Sequence, residues 1–172
     1  MPALSRRAGP PSVDIQIQSP LWNAQPQAAQ TIRDVLAAAA ALIATADGEV
    51  GIVLTDDKTI RALNRQWRGI DKPTNVLSFP AAITQAGVGA RFFGDIVMAY
   101  ETLARESDDE NRAFLHHLAH LTIHGFLHLI GYGHEVDAEA EKMEGLESKI
   151  MMRMNLPDPW LGRHLDREFG NV

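Results

Sequence analysis

His124-Gly125-Phe126-Leu127-His128-Leu129-Ile130-Gly131-Tyr132-Gly133-His134 is the stretch around which the rest of the chain is read. Its histidines fall at relative positions 0, 4 and 10, the first two inside an apolar run. Residues four apart on a helix project from one face, about 6 Å apart, so His124 and His128 can aim at one point. Gly131 lets the backbone leave the helix, because glycine takes positive φ without steric cost. His134 can then return to meet the other two. Three neutral imidazoles suit Zn²⁺ at a Zn–N distance of about 2.0–2.1 Å. Three protein ligands also leave a fourth tetrahedral position for water, as in catalytic rather than structural sites. The competing reading makes His124 and His128 core histidines satisfied by backbone groups. Buried imidazoles need partners, however, and three placed this way are costly without an ion.

The spacing, with its glycine, equals that of the H-E-x-x-H-x-x-G-x-x-H peptidases. Where those enzymes carry the glutamate that deprotonates water, this chain has Gly125. A metal site of that geometry without that base argues against peptide hydrolysis by that route.

Working outward, the histidine stretch ends a helix expected from about Asn111 to Ile130. Upstream, Val13 to Gln18 alternates apolar and polar residues, the period of a half-buried strand. Pro26 to about Ala46 reads as a helix with Ile32, Val35, Leu36, Ala39, Leu42 and Ile43 as its buried stripe. Glu49–Thr55 is β-branched and mostly apolar, a central strand. Asp56 and Asp57 cap a helix through about Trp67, with Ile60, Leu63, Asn64 and Trp67 on one side. Asn75–Phe79 and Phe92–Ala99 are further strands, separated by a small-residue loop over Ala81 to Ala90. A helix is expected over Tyr100 to Glu106 or beyond. The last, Asp137 to about Asn155, carries Met143, Leu146, Ile150 and Met151 on its core face. Strands and helices interleave, which predicts an α+β domain: a mixed sheet of about four strands packed on helices, with the long histidine-bearing helix in the core. Residues 13–159 form this single metal-hydrolase-like domain, 1–12 a disordered lead-in, and 160–172 a tail.

Bulk properties narrow the function. At 172 residues the chain suits one domain, and it contains no cysteine, so any metal must be held by His, Asp or Glu. A net charge of −6 is not that of a non-specific nucleic-acid binder; an RNA partner would need a local basic patch. No apolar run reaches the length of a membrane span, so a cytoplasmic location away from membranes is the default.

Other residues allow two readings each. His120 lies one helical turn before His124 and is either a partner of the metal ligands or a packed core histidine. His116 and His117 read as ordinary helix residues. Arg68, in a glycine-flanked loop after a helix and four residues before Lys72, is either a solvated charge on that loop or a phosphate-recognising fork. Gly94-Asp95 is a bulge, a close backbone approach or a site carboxylate. Glu135, Asp137, Glu139 and Glu141 read as charge at a helix N-terminus and a solvated face.

The histidine stretch, together with Arg68-Gly-Ile-Asp71-Lys72-Pro73-Thr74-Asn75-Val76-Leu77-Ser78-Phe79-Pro80 and Gly94-Asp95-Ile96, resembles the bacterial YbeY family. The resemblance covers roughly Leu54 to Pro159. It implies a metal-dependent, single-strand-specific endoribonuclease that matures the 3′ end of small-subunit ribosomal RNA and serves ribosome quality control. It further implies that His124, His128 and His134 bind one Zn²⁺ ion, that Arg68 and His124 are catalytic, and that Ser78 and Asp95 belong to motifs near the arginine's cleft. Single-stranded RNA, ribosomal RNA or the small subunit would be the partner. The family pattern commonly has an acidic residue where this chain has Gly133, which leaves Glu135 or Asp137 as substitutes. Two other readings stand beside this one: a ribosome-assembly binding factor with a mainly structural zinc, and a metal-dependent peptidase using an atypical base.

Overall fold

The computed structural model describes residues 9–45, 47–82 and 91–161. Four strands, β1 (Ser12–Ile17), β2 (Gly48–Thr55), β3 (Val76–Pro80) and β4 (Arg91–Ala99), form one sheet in the order β1-β2-β4-β3. The first three of these neighbours run parallel and β3 pairs antiparallel to β4, so the sheet is mixed. Among the described residues five α-helices accompany it: α1 (Ala28–Ile43), α2 (Asp57–Arg68), α3 (Tyr100–Asp109), α4 (Phe114–Leu129) and α5 (Asp137–Arg153). The architecture is the α+β domain expected from the interleaved pattern.

Strand alternation divides the core in two. Val50, Ile52 and Leu54 of β2 and Ile96 and Met98 of β4 point to one face, where α1, α4 and α5 cover them. Leu77, Val97 and Ala99 point to the other, where they meet Ile60 of α2 in a separate, smaller cluster. Consecutive residues therefore serve opposite faces, as the pleat requires. The histidine helix is buried nearly all round, from Leu118 through Leu129, because it packs against α1, α5, β3 and β4 at once.

Local chemistry sets the ends. Asp56, in extended backbone, accepts a hydrogen bond from the Thr59 amide at 2.8 Å and starts α2. Gly69, at φ 70°, closes the same helix in the left-handed conformation. The expected stripe of α1 is buried at Ile32, Val35, Leu36 and Ala39.

Trp67 lies on the same side of α2 as Leu63, with which it lines one cleft, but at its rim: it is 64% exposed and rests edge-on against Phe79 with ring centroids 6.0 Å apart. Two expectations need correction. The histidine helix begins at Phe114 rather than Asn111, because Asn111 takes φ 52° and separates it from α3. The expected tail starts at Trp160, yet that residue is docked: its indole Nε1 donates to Glu147 Oε2 at 2.6 Å. Most of the expected lead-in (1–8), tail (162–172) and small-residue loop (83–90) lies outside the described residues.

Candidate metal centre and its cleft

The C-terminal half of α4 and the turn after it bring His124, His128 and His134 together. One nitrogen of each lies within 4.8 Å of the others. The turn works as the glycine suggested. Gly131 has φ 102°, its amide donates to His128 O at 3.1 Å, and Tyr132 N donates to Leu127 O at 3.0 Å. The chain reverses there and delivers His134, the exposed member of the set, beside the two half-buried ones.

The outer nitrogens decide what the inner ones can do. His128 Nδ1 lies 2.9 Å from Tyr132 O, and His124 Nδ1 lies 2.7 Å from Glu147 Oε1. A carbonyl and a carboxylate only accept, so both Nδ1 atoms carry the proton and donate. In the neutral rings each Nε2 is then a bare lone pair. Those two Nε2 atoms face each other at 3.1 Å. Two acceptors so placed repel unless a cation lies between them, and tetrahedral zinc holds its nitrogens about 3.3 Å apart. Burial and the neighbouring His124 and His134 hold the His128 pKa below the usual imidazole value, which keeps its lone pair free. The donor set therefore fits a borderline divalent ion.

Glu147, on α5, is the residue that sequence reasoning missed. Its side chain is 1% exposed and accepts from His124, from His120 Nε2 at 2.8 Å and from Trp160 Nε1. Burial alone would raise its pKa, but the hydrogen bonds from His120 and His124 outweigh burial and hold it at about 2. A signal existed: Glu147 is four residues from both Met143 and Met151, so it lies on the buried stripe of its helix, where a carboxylate needs partners. His120 thus acts on His124 through a shared carboxylate. His117 is not an ordinary helix residue either, being buried and paired with Glu106 Oε2 at 2.6 Å.

Gly125 explains why no peptidase-like base stands beside His124. A Cβ there would lie 2.9 Å from Ile96 Cγ2 and 3.1 Å from Ser78 Oγ, and Ser78 Oγ donates to the Gly125 carbonyl at 3.1 Å. The position faces the sheet, and glycine permits the close approach of α4. Beside Gly133 the structure places Glu139, with Oε2 3.1 Å from where a Cβ would be. That carboxylate, rather than Glu135 or Asp137, is the one at the position where an acidic side chain was expected.

A cleft of about 450 Å³ runs from His124 along α4, lined by Asn75, Arg112, His117, His120 and Trp160 among others. Arg68 is not in it. It ends α2 on the other face of the sheet and is exposed, and its side chain forms no hydrogen bond or ion pair among the described residues. The loop that follows Arg68 leads into β3 and delivers Asn75, just before that strand, to the cleft. Asp95 also faces away from the histidines. It lines a larger cleft of about 680 Å³ with Gln16, Phe79 and Trp67, and Gly51 leaves room for its carboxylate.

A family model described as Endoribonuclease YbeY matches residues 14–155. The protein named Endoribonuclease YbeY of Bradyrhizobium sp. (strain BTAi1) is 52% identical over 159 residues, covering 89% of this chain and 94% of that protein. Its namesake from Rhodopseudomonas palustris (strain BisA53) is 48% identical over 156 residues, covering 88% and 91%. That from Nitrobacter hamburgensis is 51% identical over 157 residues, covering 87% and 82%. A match over most of the chain, at about half identity, means that the protein belongs to the endoribonuclease YbeY family.

Proposed function

We propose that this protein is a zinc-dependent endoribonuclease that cuts single-stranded RNA. Its substrate would be ribosomal RNA, its tasks maturation of the small-subunit RNA 3′ end and ribosome quality control, and its place the cytoplasm. Among the described residues no helix is long and apolar enough to cross a membrane. The observation that carries the catalytic reading is the pair of Nε2 lone pairs 3.1 Å apart, both Nδ1 atoms being committed elsewhere. The family membership supports the choice of RNA as substrate.

His124, His128 and His134 would hold the ion. When bound, zinc supplies Lewis acidity toward a phosphoryl oxygen and lowers the pKa of water toward about 7. Glu147 and the Tyr132 carbonyl keep the two half-buried imidazoles aimed inward. The cleft beginning at His124 falls within the range of about 300–1,000 Å³ typical of ligand sites and would seat an unpaired nucleotide. Arg68, the exposed charge that ends α2, would neutralise a phosphate further along the same strand.

The test is cleavage of a single-stranded segment of small-subunit ribosomal RNA by the purified protein, alongside His128→Ala and Arg68→Ala. Cleavage should vanish in His128→Ala, whereas Arg68→Ala, which removes a phosphate contact away from the histidines, should weaken RNA binding and its salt dependence and so lower cleavage at sub-saturating RNA. Undiminished cleavage by both variants would mean a contaminating nuclease and would contradict the assignment. RNA binding without cleavage by the wild type would favour the assembly-factor reading instead.

A further inference from the structure

Glu147 carries a consequence beyond the three histidines. We propose that Glu147 is a positioning residue of the metal centre: its buried carboxylate, clamped by His120 and Trp160, orients His124 so that Nε2 faces the ion. This rests on the reading that the histidines hold a metal.

Each oxygen of the carboxylate is used. Oε1 accepts from His124 Nδ1 at 2.7 Å, while Oε2 accepts from His120 Nε2 at 2.8 Å and Trp160 Nε1 at 2.6 Å. Among the described residues no Lys or Arg pairs with it. A buried carboxylate is costly unless positive charge is near, and an ion on the far side of the His124 ring would supply such charge. Since a carboxylate accepts only, it fixes the His124 proton on Nδ1 and leaves the lone pair on Nε2.

The clamp is built from the chain after α5. Asp158 Oδ1 accepts from Ser148 Oγ at 2.7 Å and from the Trp160 amide at 2.9 Å, which folds Pro159 and Trp160 back over α5. The Trp160 ring meets His120 edge-on with centroids 5.4 Å apart. The indole thus covers Glu147 and donates to it. The described part of the segment beyond α5, up to Leu161, therefore reaches the histidine cluster through one carboxylate.

The experiment measures Zn²⁺ affinity of the full chain by competition with a chromophoric chelator, with thermal melting of each variant in parallel. Glu147→Gln keeps size and shape but offers one acceptor oxygen to three donors; it should weaken zinc binding about 10- to 100-fold. Trp160→Phe keeps the ring and removes the N–H; it should weaken binding in the same direction by a smaller factor. Ile150→Val, one turn along α5 and fully buried, is the control for stability loss alone. It should lower the melting temperature and leave the affinity unchanged. A wild type that binds zinc while Glu147→Gln binds equally well would overturn this proposal and leave the metal reading intact. An affinity loss in Ile150→Val matching that in Glu147→Gln would also overturn it. A wild type that takes up no zinc would overturn both.

Discussion

The two faces of the sheet are made from alternate residues of the same strands, yet they differ in what covers them. One face lies under α1, α4 and α5, and its side chains, such as Ile52, Ile96 and Met98, are fully buried. The other lies under α2, with only a small cluster around Ile60, Leu77 and Val97, and it leaves an open cleft holding Asp95. The contrast separates two demands. A rigid metal centre needs its supporting helix locked in a close-packed core, because ligand geometry is held by packing and by the partners of the outer nitrogens. The open face carries polar groups without structural obligation. Adjacent residues of one motif, Asp95 and Ile96, therefore have different work, and only Ile96 lies under the histidine helix.

The sharpest way to break this contrast is Gly125→Glu, which restores the residue of the peptidase pattern. Because position 125 faces Ile96 and Ser78, the new carboxylate would be driven into the core. Chemical denaturation should show a loss of about 3–5 kcal/mol, the cost of an uncompensated buried charge, with no gain of peptide hydrolysis. A stable variant that cleaves peptides would show that this position faces the metal. Next in size, Ile96→Ala should cost about 2–5 kcal/mol by the same measurement. Asp95→Asn, one residue away on the open face, should change stability by no more than about 0.5 kcal/mol. Equal losses at the two positions would erase the distinction between the faces.

How much of this was legible beforehand follows from the range of the interactions. The histidine geometry was readable because its determinants are local: a four-residue helical step and a glycine that turns the chain. The strands were readable from alternation, and the mixed sheet from the interleaving of elements. Glu147 was hidden because an acidic residue in an acidic helix looks solvated; only its spacing from Met143 and Met151 betrayed it. Its partners come from α4 and from beyond Pro159, separations that periodicity does not report. Pro157 and Pro159 break the helix, which marks Trp160 as tail in sequence, yet a break can fold the chain back as readily as release it. His117 looks ordinary for a similar reason, its partner Glu106 standing near the end of another helix. Arg68 is the reverse case. Its motif marks it, but the structure places it on the other face of the sheet from the histidines, its side chain in no hydrogen bond or ion pair among the described residues.

The most direct measurement is the zinc content of the purified protein by elemental analysis, set beside that of His128→Ala after both are exposed to zinc and desalted. One ion per wild-type chain, and none in the variant, is the expected result. Zinc retained at full content by His128→Ala, or no zinc in the wild type, would contradict the assignment of His124, His128 and His134 as the metal centre.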